Sequence, residues 1–279
     1  MPVSSAAKSI ARAVLPSWVW TRLRIGRIRA GIRRYPRRVV RHTYGGFQLN
    51  IYLADPMGEG WYDHDWVDTP ELDLLRRNRL REGARVFDLG AHQCVVALMM
   101  ARIVGPTGQV IALEPNAHNA EVARRNRELN NVGSHLEIVQ AAAAARSGTL
   151  TFNLGLDGGV DSGGGEWGRC EVACLSVDDL ADRHGIPDVL FIDVEGFEVN
   201  VLEGAAQTLE HRPDCFVEVH VGCGLETYGS SAESVVSFFR TRDYSLFIAG
   251  QNEGTFSALE PSSSLPDERF FLIALNVEG

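Results

Sequence analysis

The sequence predicts an α/β fold: an open, mainly parallel sheet with helices on both faces and a C-terminal antiparallel hairpin strand. Three observations predict it. Strand-length apolar runs alternate with helix-length segments along most of the chain. Two early runs end in an acidic residue at a turn, V-F-D-L-G at 86–90 and V-I-A-L-E at 110–114. The last two strands are joined by a Ser-, Pro- and Gly-containing connection without helical period, so the final strand most simply returns antiparallel. An apolar strand ending in Asp88 and turning at Gly90, then a second ending in Glu114, builds a nucleoside-binding edge. Glycine lets backbone approach a ligand closely, and a carboxylate at the second strand end can accept from both ribose hydroxyls.

The elements follow in order. A short alternating stretch at 47–53 reads as a strand, and 70–81 as a helix that introduces the core. Then come strand 85–89, helix 93–103, strand 109–114, helix 117–130, strands 135–140 and 149–153, helix 176–184 and strand 188–194. Helix 198–210, strand 214–220, helix 231–241 and strands 244–249 and 269–275 complete the series. Residues 155–168 hold seven glycines in fourteen positions, which regular structure does not tolerate cheaply; they read as a loop, with Trp167 as an apolar contact if it covers a substrate.

A chain of 279 residues with 45% hydrophobic content is ample for one large α/β domain plus an extension. Its charge is unevenly spread. Eleven of the 27 Lys and Arg residues precede Asp55, whereas none of the 36 acidic residues do. The reading divides the chain into a basic extension, 1–45, and an acidic domain, 46–279. If helical, the extension brings Val14, Trp18, Ile25, Ile28 and Ile32 near one face, although Gly26 and Gly31 each weaken that helix by about 1 kcal/mol. Such an arm suits either peripheral contact with an anionic membrane or packing on the acidic domain; the domain's own charge argues against nucleic acid. The five cysteines lack a Cys-x-x-Cys pair or recurrent spacing, which disfavours a disulfide framework or zinc ribbon and suits a reducing cytoplasm. No apolar run is long enough to span a membrane, and Arg12 and Pro16 interrupt the apolar core a secretory signal would need, so the expected location is cytoplasmic or membrane-peripheral. The composition carries no signal for an oligomeric state.

Two further strand ends carry chemistry. The run F-I-D-V-E-G-F-E places Asp193, Glu195 and Glu198 at one carboxyl edge, and F-V-E-V-H places Glu218 and His220 at the next. Ligands of open α/β sheets bind outside these edges. His220 has the unperturbed pKa that suits a general base, with Asp193 as the competing candidate. Asp193, Glu195, Glu218 and His220 could instead hold a divalent metal such as magnesium against a substrate diol; spacing on separate strands does not establish convergence, so no metal ligands are assigned and magnesium is the disfavoured alternative.

In their order, V-F-D-L-G-A, A-L-E-P-N, L-S-V-D-D-L, I-D-V-E-G-F-E, L-E-G-A and V-E-V-H resemble the FkbM-type family of S-adenosylmethionine-dependent methyltransferases over about residues 70–275. The I-D-V-E-G-x-E element is the most specific of them. The resemblance implies a class I methyltransferase (Rossmann-like) fold, with S-adenosylmethionine as cofactor. Asp88, Gly90 and Ala91 would border its methionine part, Glu114 would take the ribose hydroxyls, and Ala141 and Ala142 would lie near the adenine. Asp193 and Glu195 would face the sulfonium and the substrate, and Glu218 with His220 would complete the acceptor site. The implied reaction is O-methylation of a hydroxyl on a sugar, glycolipid or secondary metabolite, so the expected partner is a small-molecule or glycan acceptor.

Three positions depart from the family pattern. In the glycine turn, His92 replaces Asn and Cys94 the second Gly, and Phe191 replaces the Lys before I-D-V-E-G. These motivate a second reading, a degenerate methyltransferase fold acting as a non-catalytic binding protein. Cys94 pointing into the core would favour the enzyme. The turn after the first core strand, G-A-H-Q-C-V, is not G-x-G-x-x-G, which argues against an NAD-dependent oxidoreductase.

Overall fold

The computed structural model describes residues 26, 30–153, 160, 169–251 and 253–276. Most of the basic extension, including Val14, Trp18, Ile25 and Ile28, and nearly all of the glycine-rich stretch with Trp167, lie outside the described residues.

The chain enters through an antiparallel hairpin, β1 (Arg38–Tyr44) and β2 (Phe47–Leu53). Gly45 and Gly46 both have positive φ, as a two-residue hairpin turn requires. β1 falls inside the segment the sequence assigned to the extension, so the last residues of that arm are strand. Asn126 and Asn130 dock the hairpin: their side-chain oxygens accept from the backbone N–H groups of Tyr52, at 2.7 Å, and Asn50, at 3.0 Å. A short helix that sequence reading missed follows, α1 (Pro56–Tyr62). Asp55 caps it by accepting from the N–H groups of Met57 and Gly58, and a proline occupies the first turn. The helix expected over 70–81 is shorter, α2 (Pro70–Arg76).

The central sheet is built from β3 (Arg85–Leu89), α3 (Val95–Val104), β4 (Gln109–Leu113), α4 (Ala117–Leu129) and β5 (Leu136–Val139). It continues through β9 (Val189–Ile192), β10 (Asp214–Val219), α8 (Ala232–Arg240), β11 (Ser245–Gly250), β12 (Ser257–Ala258) and β13 (Phe270–Leu275). The strand order is β12-β11-β13-β10-β9-β3-β4-β5. Strands β10, β9, β3, β4 and β5 pair in parallel, while β13 lies antiparallel between β10 and β11. The expected terminal hairpin is therefore present. A separate three-stranded sheet, β6 (Ala142–Ala143), β8 (Arg169–Leu175) and β7 (Gly148–Asn153), stands between β5 and α5 (Val177–His184) in the chain. β8 was not anticipated.

Strand periodicity divides the core in two. Val86, Val110, Val189 and Phe191 point to the face covered by the hairpin, α2, α3 and α4; Phe87, Leu89, Ile111, Leu190 and Ile192 point to the face covered by α5 and α8 with α6 (Glu198–Glu203) and α7 (Ala206–Glu210). The helix expected over 198–210 is thus two short ones, broken at Gly204. A Cβ there would lie 2.2 Å from the carbonyl oxygen of Ala144, so chain contact with the small sheet decides the break.

Candidate active site

The carboxyl ends of β3, β4 and β9 and the start of the small sheet border an open cleft. Gly90, His92, Glu114, Ala142, Ala143, Asp193 and Glu195 line it, and Trp61 of α1 stands at its rim.

The glycine turn is anchored from both sides. The N–H groups of Gly90 and Ala91 donate to the carbonyl of Leu113 at 3.0 and 2.9 Å, tying the end of β3 to that of β4. Gly90 has φ +93°, and a Cβ on it would meet the carbonyl oxygen of Asp193 at 1.7 Å. His92 and Cys94 take left-handed conformations at φ 48° and 64°, which delays α3 to Val95. Gln93, fully buried, donates through Nε2 to Asp55 at 2.8 Å, and His118 contacts the same carboxylate oxygen at 2.8 Å. The cap of α1 is therefore also the anchor of the glycine turn. Above it, the Tyr62 hydroxyl meets His92 Nδ1 at 2.7 Å and the Trp61 ring lies 4.9 Å from the imidazole.

Cys94 points into the core, fully buried, and does not line the cleft. Burial pushes its thiol well above the usual range, with nearby Asp88 and Glu114 acting in the same direction. Phe191, where the family pattern has Lys, stacks on Phe216 with centroids 4.1 Å apart. Both departures are absorbed by packing.

Glu114 is 5% exposed, and its Oε1 accepts from the Asn116 N–H at 2.7 Å. Burial pushes its carboxyl up to about 8, against the lowering effect of the Asn116 and His92 backbone N–H groups and the Asn119 side chain. Asp88 lies beneath the turn, its carboxyl raised to about 7 by burial, and its Oδ2 has no hydrogen-bond partner among the described residues. A buried acceptor awaiting a donor under a glycine turn, with a second carboxylate at the neighbouring strand end, fits an aminoacyl nucleoside such as S-adenosylmethionine.

At the β9 and β10 ends the acidic run closes around His220, which is 1% exposed. Its Nδ1 donates to Glu198 Oε1 at 2.7 Å, and Glu198 is itself fully buried. The opposite nitrogen, Nε2, has Glu195 Oε2 at 3.5 Å and Asp193 Oδ1 and Glu218 Oε1 each at 3.7 Å. Burial lowers the pKa of His220, but the Glu198 hydrogen bond and the surrounding carboxylates outweigh it and raise the imidazole to about 9. Burial, reinforced by Glu218, pushes the Asp193 carboxyl well up. Glu218 is held by Arg269 at 3.0 Å. Glu195 sits at φ 53°, a left-handed conformation that costs a non-glycine residue about 1–3 kcal/mol and that the tight strand-to-helix turn enforces. Gly196 beside it has φ +97°, and a Cβ on it would strike the backbone of Gly224 at 2.5 Å.

Of the residues expected from sequence, Gly90, Glu114, Ala142, Asp193 and Glu195 line one cleft; Asp88 lies under it and His220 behind its acidic wall. Ala141 does not line it: the residue is 2% exposed, and Ala143 stands beside Ala142 in its place, because the lining begins where β6 starts. Ala91 packs against the core beside the turn. Sequence reasoning missed Trp61, on an unanticipated helix, and the orienting role of Glu198, although its place in the E-G-F-E run was visible.

Comparisons with known proteins show the family. Residues 88–246 match the family model described as "Methyltransferase FkbM domain". The "Probable cobalt-precorrin-6B C(15)-methyltransferase (decarboxylating)" of Thermoplasma volcanium is 28% identical over 167 residues, 58% of this chain and 78% of that protein. Among solved structures, Aeropyrum pernix fibrillarin with natively bound S-adenosyl-L-methionine is 13% identical, with a TM-score of 0.45 over 86% of this chain and 83% of its own. An O-methyltransferase of Bacillus cereus in complex with SAH is 12% identical, with a TM-score of 0.42 over 98% of each chain. With more than half of its length matched by the family model, the chain belongs to the FkbM-domain family of S-adenosylmethionine-dependent methyltransferases.

Proposed function

We propose that the protein methylates a hydroxyl oxygen of a small-molecule or glycan acceptor, received at the cluster of Asp193, Glu195 and His220. The observation that carries this reading is the His220 arrangement, with Nδ1 fixed on buried Glu198 and Nε2 turned toward the carboxylates at the cleft. A hydroxyl is a weak nucleophile at neutral pH, so its methylation needs a nearby proton acceptor as the C–O bond forms, and this cluster provides several. S-adenosylmethionine supplies the electrophilic methyl group when bound. Glu114 would hold its ribose hydroxyls, Asp88 and the Gly90 turn its amino-acid end, and Ala142 its base. The acceptor then enters between Trp61 and Glu195, where the two sides of the cleft orient nucleophile and methyl.

The buried position of Cys94 supports the enzyme over the non-catalytic alternative, since no side chain at that position obstructs the cleft. No helix among the described residues is long and apolar enough to cross a membrane. The eleven basic residues before Asp55 support peripheral attachment to an anionic membrane from the cytoplasmic side, which suits a glycolipid acceptor.

The test has two stages. Calorimetric titration with S-adenosylhomocysteine, with NAD as control, should give micromolar binding for the first alone; no binding of either favours the non-catalytic reading. Incubation with methyl-labelled S-adenosylmethionine and pooled glycans, glycolipids and hydroxylated metabolites should then place label on oxygen. Label on carbon, as the name of the Thermoplasma relative would suggest, overturns the O-methyl assignment.

A further inference from the structure

We propose that Asp193, Glu195 and His220 bind a divalent transition-metal ion, manganese(II) in kind, beside the methyl-donor cleft. One oxygen of each carboxylate and one nitrogen of His220 lie within 4.8 Å of one another. Acidic clusters are common without ions, so the case rests on the imidazole. His220 Nε2 is buried and has no hydrogen-bond partner among the described residues, a costly state for a polar atom in a folded interior. It is aimed at Glu195 and Asp193 across 3.5 and 3.7 Å, longer than any hydrogen bond. Two ligand atoms each about 2.1 Å from one ion and at right angles, as octahedral coordination requires, stand about 3.0 Å apart, so both carboxylates must close on Nε2 and on each other by about half an ångström or more to share one ion.

The opposite side of the ring supplies an independent argument. Metal-binding histidines nearly always donate their other N–H to a carboxylate or carbonyl, which fixes the tautomer that leaves the ligating nitrogen bare. Glu198, fully buried, accepts from Nδ1 at 2.7 Å, so that nitrogen keeps its proton and Nε2 is the one that gives up a proton when the ion binds. Arg269 engages Glu218, the remaining carboxylate near Nε2, whereas Asp193 and Glu195 are the carboxylates grouped with His220 that also line the cleft. One nitrogen and two carboxylate oxygens suit manganese(II) better than magnesium, which prefers oxygen alone. Asp193 and Glu195 also line the cleft, so the ion's remaining positions face the space where the acceptor enters.

This inference deepens the proposed reaction and rests on it for its consequence: an acceptor hydroxyl bound to the ion becomes a better nucleophile, and its proton goes to a neighbouring carboxylate while Nε2 stays on the metal. Binding itself needs no acceptor. The full chain, stripped with EDTA and dialysed, is titrated with manganese(II) and followed by loss of the free-ion electron paramagnetic resonance signal. One ion per chain with a micromolar dissociation constant is expected, weakened at least tenfold in Glu195→Gln and in Asp193→Asn. Glu198→Gln should weaken it about ten- to a hundredfold while leaving every ligand in place. Glu195→Gln changes a half-buried side chain, so circular dichroism and the melting temperature serve as its folding control. No binding by the folded wild type, or binding unchanged in folded Glu195→Gln, overturns the proposal. S-adenosylhomocysteine titration of the same samples separates the two readings: manganese binding without nucleoside binding leaves the metal site standing and removes the methyltransferase reading, and the reverse result does the opposite.

Discussion

Gly90 and Asp193 meet backbone to backbone: the space a Cβ would take on the first is occupied by the carbonyl oxygen of the second. The contact joins the glycine turn to the acidic end of the cleft, so one turn sets the separation of the two. Gly90→Ala must move β9 away and also adopt φ near +93°. A loss of about 3 kcal/mol or more is expected from overpacking and left-handed strain together. Urea unfolding measures it, and any folded fraction should bind S-adenosylhomocysteine weakly.

If Glu114 takes the ribose hydroxyls, nucleoside binding should depend on pH. Burial raises its carboxyl to about 8, and the ionised form, with both oxygens free to accept, holds two ribose hydroxyls better than the protonated form. Affinity for S-adenosylhomocysteine should therefore rise with pH, by up to about tenfold per unit, and level off above about 8. Calorimetry from pH 6 to 9 shows the slope. Glu114→Gln should bind weakly at every pH and lose the rise between about pH 7 and 8, keeping only what Asp88, raised to about 7, contributes below it, and a wild-type affinity that is flat in pH removes the ribose assignment.

Asp55 couples a helix cap to the glycine turn. Replacing it with Ala removes the acceptor for the Met57 and Gly58 N–H groups and strands buried Gln93. A cost of about 2–4 kcal/mol is expected from the lost cap and the unpaired amide. Chemical denaturation gives the number. Because Gln93 lies between His92 and Cys94, nucleoside affinity should fall too.

Trp61 is 45% exposed at the cleft rim, so its truncation should leave stability within about 1 kcal/mol of wild type. Once an acceptor is known, Trp61→Ala should raise its KM about tenfold, the loss of one ring contact, with S-adenosylhomocysteine affinity changed less than threefold. Steady-state kinetics and calorimetry check the two halves.

The basic arm can be removed without cutting the hairpin, which begins at Arg38. Deleting residues 1–37 removes nine of the eleven basic residues that precede Asp55. It should abolish sedimentation with phosphatidylserine vesicles at low salt while nucleoside binding persists. Sedimentation unchanged by the deletion would end the membrane proposal.

Strand ends were legible because parallel strands buried on both faces leave few polar residues, and those few mark the carboxyl edge: Asp88, Glu114 and Asp193 all announced themselves this way. Cys94 was harder, since its direction depends on a left-handed φ that the residue's identity does not impose. The break at Gly204 is set by Ala144, sixty residues earlier in the chain, and local periodicity carries no trace of it. β1 was hidden by its arginines, which suggested an extended basic arm, while its alternation of exposed and half-buried residues emerges only against β2. The convergence of Asp193, Glu195 and His220 needed the turn at Glu195, where unusual backbone aims the carboxylate back toward β10.

The place of β13 bears on how the protein is made. It is the last described strand to leave the ribosome, yet it fills an interior position between β10 and β11. Until it emerges, the edges of both neighbours are unpaired and Phe216, later in contact with Phe271, lacks that cover. A nascent chain stalled before Phe270 should hold the β3-to-β5 half in place and remain a client for chaperones at the other, so Arg269 and β13 must emerge before the acidic wall beside Glu218 is secured.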